Sequence, residues 1–178
     1  MMAIRSDAAR SRERILTAAR EQDSSTLRLN DLARETGLGV GTVYRHFPTV
    51  HALVEALAYD TLIRMRDLSR EAAAEPDAEV ALASFLRSAL DLQLADGGLQ
   101  AVLLSPDDET DDVRETKREI FATFTAVLER ARSDGAVRAD LTVEQLEHLI
   151  CGIEHAVRLG SPADSEPFLQ IMLAGIRP

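Results

Sequence analysis

Ala33, Gly37 and Val43 constrain this chain more than any other feature. They stand at i, i+4 and i+10 across two short apolar-periodic stretches, LNDLARET and VGTVYRHF. A small residue is needed where two helices cross closely, a glycine where the chain turns, and a branched apolar residue where the second helix packs back. Gly37 accepts the left-handed conformation that closes the first stretch. The spacing predicts a helix-turn-helix. Before it, SRERILTAARE places Ile15, Leu16, Ala18 and Ala19 on one side of a further helix, which completes a compact three-helix head.

The second stretch of the motif has an unusual surface. Thr42, Tyr44, Arg45 and His46 sit beside Gly39 and Gly41 and just before Pro48. A core helix would not expose polar tips so densely. With Val43 and Phe47 pinning the helix from behind, these tips are free to enter a major groove. The charge distribution agrees. Residues 1–51 hold eight arginines against six carboxylates, four of the arginines falling between Arg5 and Arg14, whereas residues 52–178 hold twelve Lys and Arg against twenty-four Asp and Glu. A basic head on an acidic body is the asymmetry expected if only the head meets phosphate.

Beyond the head the periodicity is helical almost throughout, with no convincing strand, so the fold class is all-α. The segment from Thr49 to Glu75 reads as a long fourth helix, with Pro48 suited to its first turn and Pro76 closing it. DAEVALASFLRSALDLQLADGG is apolar over most of its circumference and is expected at the centre of a bundle. A short LQAVLL follows. A long helix then runs to about Ser133 with Val113, Ile120, Phe124, Val127, Leu128 and Ala131 on one stripe, and two further helices complete the chain. A boundary near residue 50 divides a head, 1–50, from a helical bundle, 51–178. One cysteine in 178 residues excludes an intrachain disulfide framework and suits a reducing cytoplasm. No apolar run of about 18 residues is present to span a membrane, and MMAIRSDAARSRERIL lacks the apolar region of a secretory signal. The motifs of zinc proteases, serine hydrolases and phosphate-binding loops are absent, and Cys151 has histidines only on its own helix, so an enzyme is not expected.

SRERILTAARE, LNDLARETGLGVGTVYRHFP and the amphipathic TVHALVEAL resemble the DNA-binding head of the TetR family of bacterial repressors, over roughly residues 10 to 57. The resemblance implies an all-helical homodimer whose heads bind palindromic double-stranded operator DNA, and a C-terminal bundle whose small-molecule effector weakens that binding. It implies no cofactor and no membrane partner. By position, Thr42, Tyr44 and His46 resemble the family's phosphate and base contacts, and Arg45 between them is placed to reach the backbone as well. Val40 and Gly41 match the start of the recognition helix, where Val40 has apolar contact with a thymine methyl open to it. Arg10, Arg12, Arg14, Arg28, Asn30 and Arg34 are further candidates for contacts to DNA. The chain departs from the family pattern in three places: Val50 stands where a basic residue is usual, the EQDSSTLRLN segment is short, and Arg28 replaces a Thr or Ser cap. A helical dimer working through protein partners is the alternative that Val50 and the bare stretch 39–41 leave open.

For the body the resemblance implies a ligand pocket within residues 52–130 and a dimer made by the last two helices. Met65, Leu82, Phe85, Leu86, Leu90, Phe121 and Phe124 are the candidate pocket residues, with plain core packing as the competing reading. No polar cluster interrupts these stripes, so the effector is expected to be mostly apolar. In the helix 143–159, Leu146, Leu149, Ile150, Ile153 and Val157 make one face, and Glu144, His148, Cys151 and His155 fall on another. The second stripe has a metal-like composition. It is read instead as the face of a paired helix, with no metal, and His148, Cys151, Gly152, His155, Phe168 and Met172 are the candidate dimer contacts.

Overall fold

The computed structural model describes residues 2–178, with the side chains of 2–6 and of 25, and therefore Arg5's, outside the description. Among the described residues all regular structure is helical: α1 (Met2–Arg20), α2 (Leu29–Thr36), α3 (Val40–His46), α4 (Val50–Ala74), α5 (Ala78–Ala95), α6 (Leu99–Leu104), α7 (Asp111–Ser133), α8 (Val143–Leu159) and α9 (Ser165–Gly175), with short 3-10 turns at Ser24–Thr26 and Pro162–Asp164. The fold is all-α, as the periodicity predicts. By packing, the chain divides into two compact units, Met1–Asp60 with Gly97–Val113, and Thr61–Asp96 with Arg114–Pro178. These units are drawn by contact. Residue 50 falls inside the first of them.

In the first unit α2 packs against α1 and α3. Ile15, Leu16 and Ala19 of α1, Leu29, Leu32 and Ala33 of α2, and Val43 and Phe47 behind α3 are all buried, so the small–turn–branched spacing performs the packing it predicts. Ala18 is only half-buried. Gly37 closes α2 at φ 64, and the Leu38 N–H reaches back to the Ala33 carbonyl at 3.1 Å. That φ is the reason for a glycine there, since a Cβ would strain the backbone. Pro48 does not open α4, which begins at Val50. Thr49 caps it instead, its Oγ1 accepting from the Ala52 N–H at 2.9 Å.

The first unit also takes in a segment that the sequence did not tie to the head. Glu55 of α4 is 1% exposed, and its Oε1 accepts from the backbone N–H of Glu109 at 2.9 Å, with His51 Nε2 3.1 Å away. Thr49 Oγ1 donates to Glu109 Oε1 at 2.5 Å. The stretch leading into α7 is therefore fastened to the first two turns of α4, directly after the motif.

In the second unit α5 packs on α8, and α8 on α9. Phe85 of α5 meets Phe124 of α7 with ring centroids 4.6 Å apart, a pairing worth about 0.5–1.5 kcal/mol beyond area burial. α8 opens on a capping box formed by Thr142 and Gln145. Near its end Arg158 pairs with the buried Glu154 and donates to the Gln93 and Leu94 carbonyls at 2.9 and 3.3 Å. It thereby satisfies carbonyls that the end of α5 leaves open.

Candidate nucleic-acid interface

α3 has seven residues and no carboxylate, and only Val43 among them is buried. Val40 is 48% exposed and Tyr44 44%, Gly41 and Arg45 are exposed, and Thr42 and His46 are half-buried. The side chains follow from the helix period. Val43 turns inward, and its neighbours on either side are carried outward. Arg45 runs back along its own helix, with Nε donating to the Gly41 carbonyl and Nη2 to Thr42 Oγ1, both at 3.1 Å. A Cβ on Gly41 would meet nothing within 4 Å, so the glycine leaves open space above the first turn.

Two depressions border this helix within the first unit. One, of about 620 Å³, is lined by Arg28, Asn30 and Arg34 of α2 and its approach, by Tyr44, and by Thr49 and Val50. It gathers Arg28, Asn30 and Tyr44 of the expected DNA contacts around the position where the basic residue is missing. The other, of about 560 Å³, is lined by Arg12, His46, Phe47, Glu55 and Tyr59 among others. Arg12 and His46 thus lie around a different depression from Tyr44, and the Arg12 guanidinium sits 5.3 Å from the centre of the Phe47 ring.

The arginines expected to meet phosphate are mostly engaged. Arg10 pairs with Asp7 and Arg34 with Asp31, both at the surface. Arg14 donates to the Thr36 carbonyl. Exposed pairs of this kind contribute little, about 0–1 kcal/mol, so phosphate can displace the carboxylates. Arg28 precedes α2 without a side-chain capping bond and is exposed.

In the second unit Met65, Leu82, Phe85, Leu86, Leu90 and Phe124 are buried, and Phe121 is half-buried. What the structure displays of them is close packing. Leu82 also borders a cavity of about 200 Å³ near Arg87 and Arg177. The same unit buries Ser69, Gln93, Thr116, Lys117 and Glu154, polar groups that the apolar stripes did not announce.

The last two helices expose an apolar groove of about 520 Å³. His148, Gly152, Phe168 and Met172 line it, together with Leu149, Ile153, Ala156 and Ile171. The expected single apolar face of α8 is in fact two. Leu146, Ile150 and Val157 point to the core, whereas Leu149 is 44% exposed and belongs to the groove with Ile153. Cys151 does not line it; its Sγ lies 4.0 Å from Gln93 Oε1 of α5. His155 is exposed and does not line it either. The signal for Leu149 and Ile153 was present in the helix period. One apolar arc too wide for a single neighbour needs a second one. Among the described residues no group of three or more His, Cys, Asp or Glu is placed to hold a metal ion.

Comparison with known proteins agrees with this geometry. The family model described as Transcriptional regulator SbtR-like, C-terminal domain, matches residues 77–178. An HTH-type transcriptional regulator of Staphylococcus aureus (strain MRSA252) is 40% identical over 58 residues, which is 30% of this chain and 30% of that protein's length. A TetR transcriptional regulator of Streptomyces coelicolor, of known structure, is 32% identical, covers 94% of this chain and 98% of its own, and has a TM-score of 0.55. FadR of Bacillus subtilis, solved in complex with stearoyl-CoA, shares the fold at 18% identity, with 93% and 99% covered and a TM-score of 0.58. No helix among the described residues is long and apolar enough to cross a membrane. The helix-turn-helix head, the helical body and these likenesses place the chain in the TetR family of transcriptional regulators.

Proposed function

We propose that the chain is a one-component repressor that binds palindromic operator DNA as a homodimer and is released by a small, mostly apolar effector. Residues 1–50 are the DNA-binding head, and 51–178 hold the effector and join the two copies. The observation that carries this reading is α3, an exposed helix with polar tips and no carboxylate, held from behind by Val43 and Phe47. Arg28, Asn30 and Tyr44 around one depression supply positioning contacts to phosphate. The apolar groove of α8 and α9 supports the homodimer, because an exposed surface of this kind marks an interaction site. Two-fold symmetry then sets the half-sites about one helical turn, or a multiple of it, apart. For the effector, support comes from the acyl compound bound by FadR of Bacillus subtilis. Effector binding re-spaces the heads so that they no longer match successive grooves.

The test is fluorescence anisotropy of the protein on its own upstream DNA and on a scrambled duplex, at two salt concentrations. A large preference for its own DNA, with a modest salt slope from a few phosphate contacts per head, is expected. Equal weak binding to both duplexes, with an intact dimer, favours instead a regulator acting through protein partners. Affinity independent of salt contradicts phosphate contact altogether.

A further inference from the structure

We propose that Arg45 reads a guanine in each operator half-site and does not serve as a phosphate clamp, an inference that rests on α3 being the recognition helix. Long side chains on a helix lean toward its N-terminus. Here the lean is fixed by two bonds, from Nε to the Gly41 carbonyl and from Nη2 to Thr42 Oγ1. The guanidinium therefore lies over the first turn of α3, the turn that a helix-turn-helix presents to base edges. That turn offers little else to read a base. Gly39 and Gly41 have no side chain, Val40 is apolar, and the space above Gly41 is open.

The donor count fits. A guanidinium has five N–H groups, and the two intrahelical bonds leave three. Two of these suffice for the O6 and N7 acceptors that guanine displays in the major groove. The surroundings fit as well. Arg10, Arg20 and Arg34 of the same unit have carboxylate partners, whereas the acceptors holding Arg45 are a carbonyl and a hydroxyl. Its charge is not neutralised, and its fork is already oriented, so less side-chain entropy is lost on contact.

The experiment selects bound sites from a randomised duplex library with the wild type, Arg45→Ala and Arg45→Gln. The wild type is expected to enrich a two-fold symmetric site with a fixed G·C pair in each half. Arg45→Ala keeps the rest of the site and loses the preference at that pair, with roughly 5- to 150-fold lost on guanine sites per half. Arg45→Gln moves the preference toward adenine, whose N6 and N7 suit an amide. Arg45 is exposed and its bonds stay within α3, so both variants are expected to fold, which circular dichroism checks. If Arg45→Ala weakens all sequences alike and lowers the salt slope by about one per head, Arg45 is a phosphate contact and the proposal falls. Retention of the same guanine preference by Arg45→Ala also overturns it. Failure of the wild type to enrich any site removes the DNA reading itself along with this one.

Discussion

The outer face of α3 and the groove of α8 and α9 are both exposed surfaces on buried scaffolds, and they differ in chemistry. α3 presents Thr42, Tyr44 and Arg45 beside glycine. The groove presents Leu149, Ile153, Phe168 and Ile171, with Ile171 70% exposed. A polar face is well solvated alone, so its partner can come and go. An apolar groove left in water forfeits the hydrophobic gain of covering it, so its partner is expected to be permanent. The proposed partners differ in the same way, a polyanion for α3 and a second copy for the groove.

The largest effect that can break this comparison comes from charging the groove. Leu149→Glu with Ile171→Glu leaves Leu146, Ile150, Val157 and Leu169 in the core, so each protomer still folds. At a two-fold interface both substitutions enter twice, once from each copy, so four carboxylates are placed in one apolar seam. The dimer dissociation constant is expected to rise at least 100-fold, about 3 kcal/mol, read by sedimentation velocity over a dilution series. A double variant that remains dimeric at wild-type concentrations places the interface elsewhere. Next in size is Tyr44→Ala, which is expected to weaken operator binding by about 1–3 kcal/mol and leave sedimentation unchanged. Normal operator binding by that variant would mean that α3 is not the recognition helix.

Val50→Arg sharpens the same contrast from the other side. Val50 is 37% exposed and borders the depression that Arg28, Asn30 and Tyr44 share. An arginine there adds one phosphate contact per head. Affinity is expected to rise on every sequence, with the salt slope steepened by about one per head. An unchanged slope in a titration over salt would show that this depression does not face DNA.

The two regions were not equally legible in the sequence. The head was, because each position in it has a local reason: Gly37 needs a positive φ, Ala33 a close crossing, and Val43 a backstop. Those reasons act within a few residues and survive as spacing. The fastening of Glu55 to the Glu109 N–H joins positions 54 apart, and no local rule announces it. In the body, periodicity located α8 but merged its two apolar faces, since a helical wheel cannot say which neighbour each side meets. Buried Gln93 and Lys117 were hidden for the same reason. Their surroundings come from other helices, and polar residues on an apolar stripe look like surface until the bundle closes over them.

The smallest predicted effect separates two carboxylates of the body by sign. On α8, Glu147 has an Oε1 buried without a partner, and burial pushes its carboxyl up while His148 and Lys117 pull it down. On α9, the two bonds from Arg87, at 2.8 and 3.0 Å, with one from Gln170, hold Glu166 down to about 2. A raised carboxyl binds its proton more tightly in the folded state. Its contribution is therefore intact below the unfolded value of about 4.3 and is lost as pH rises through the raised folded value. Glu147→Gln removes that loss and is expected to raise Tm at pH 7 by about 1–3 °C, with the gain vanishing near pH 4. Glu166→Gln is expected to act in the opposite direction. Its stabilisation is present above the unfolded value and is lost as pH falls toward 2, so the variant melts slightly lower at pH 7 and differs least in strong acid. Melting curves for both variants at pH 4 and pH 7 decide the matter. A Glu147→Gln variant that melts lower at pH 7 would show that Lys117 and His148 outweigh burial, and that α8 carries Glu147 as a paired charge.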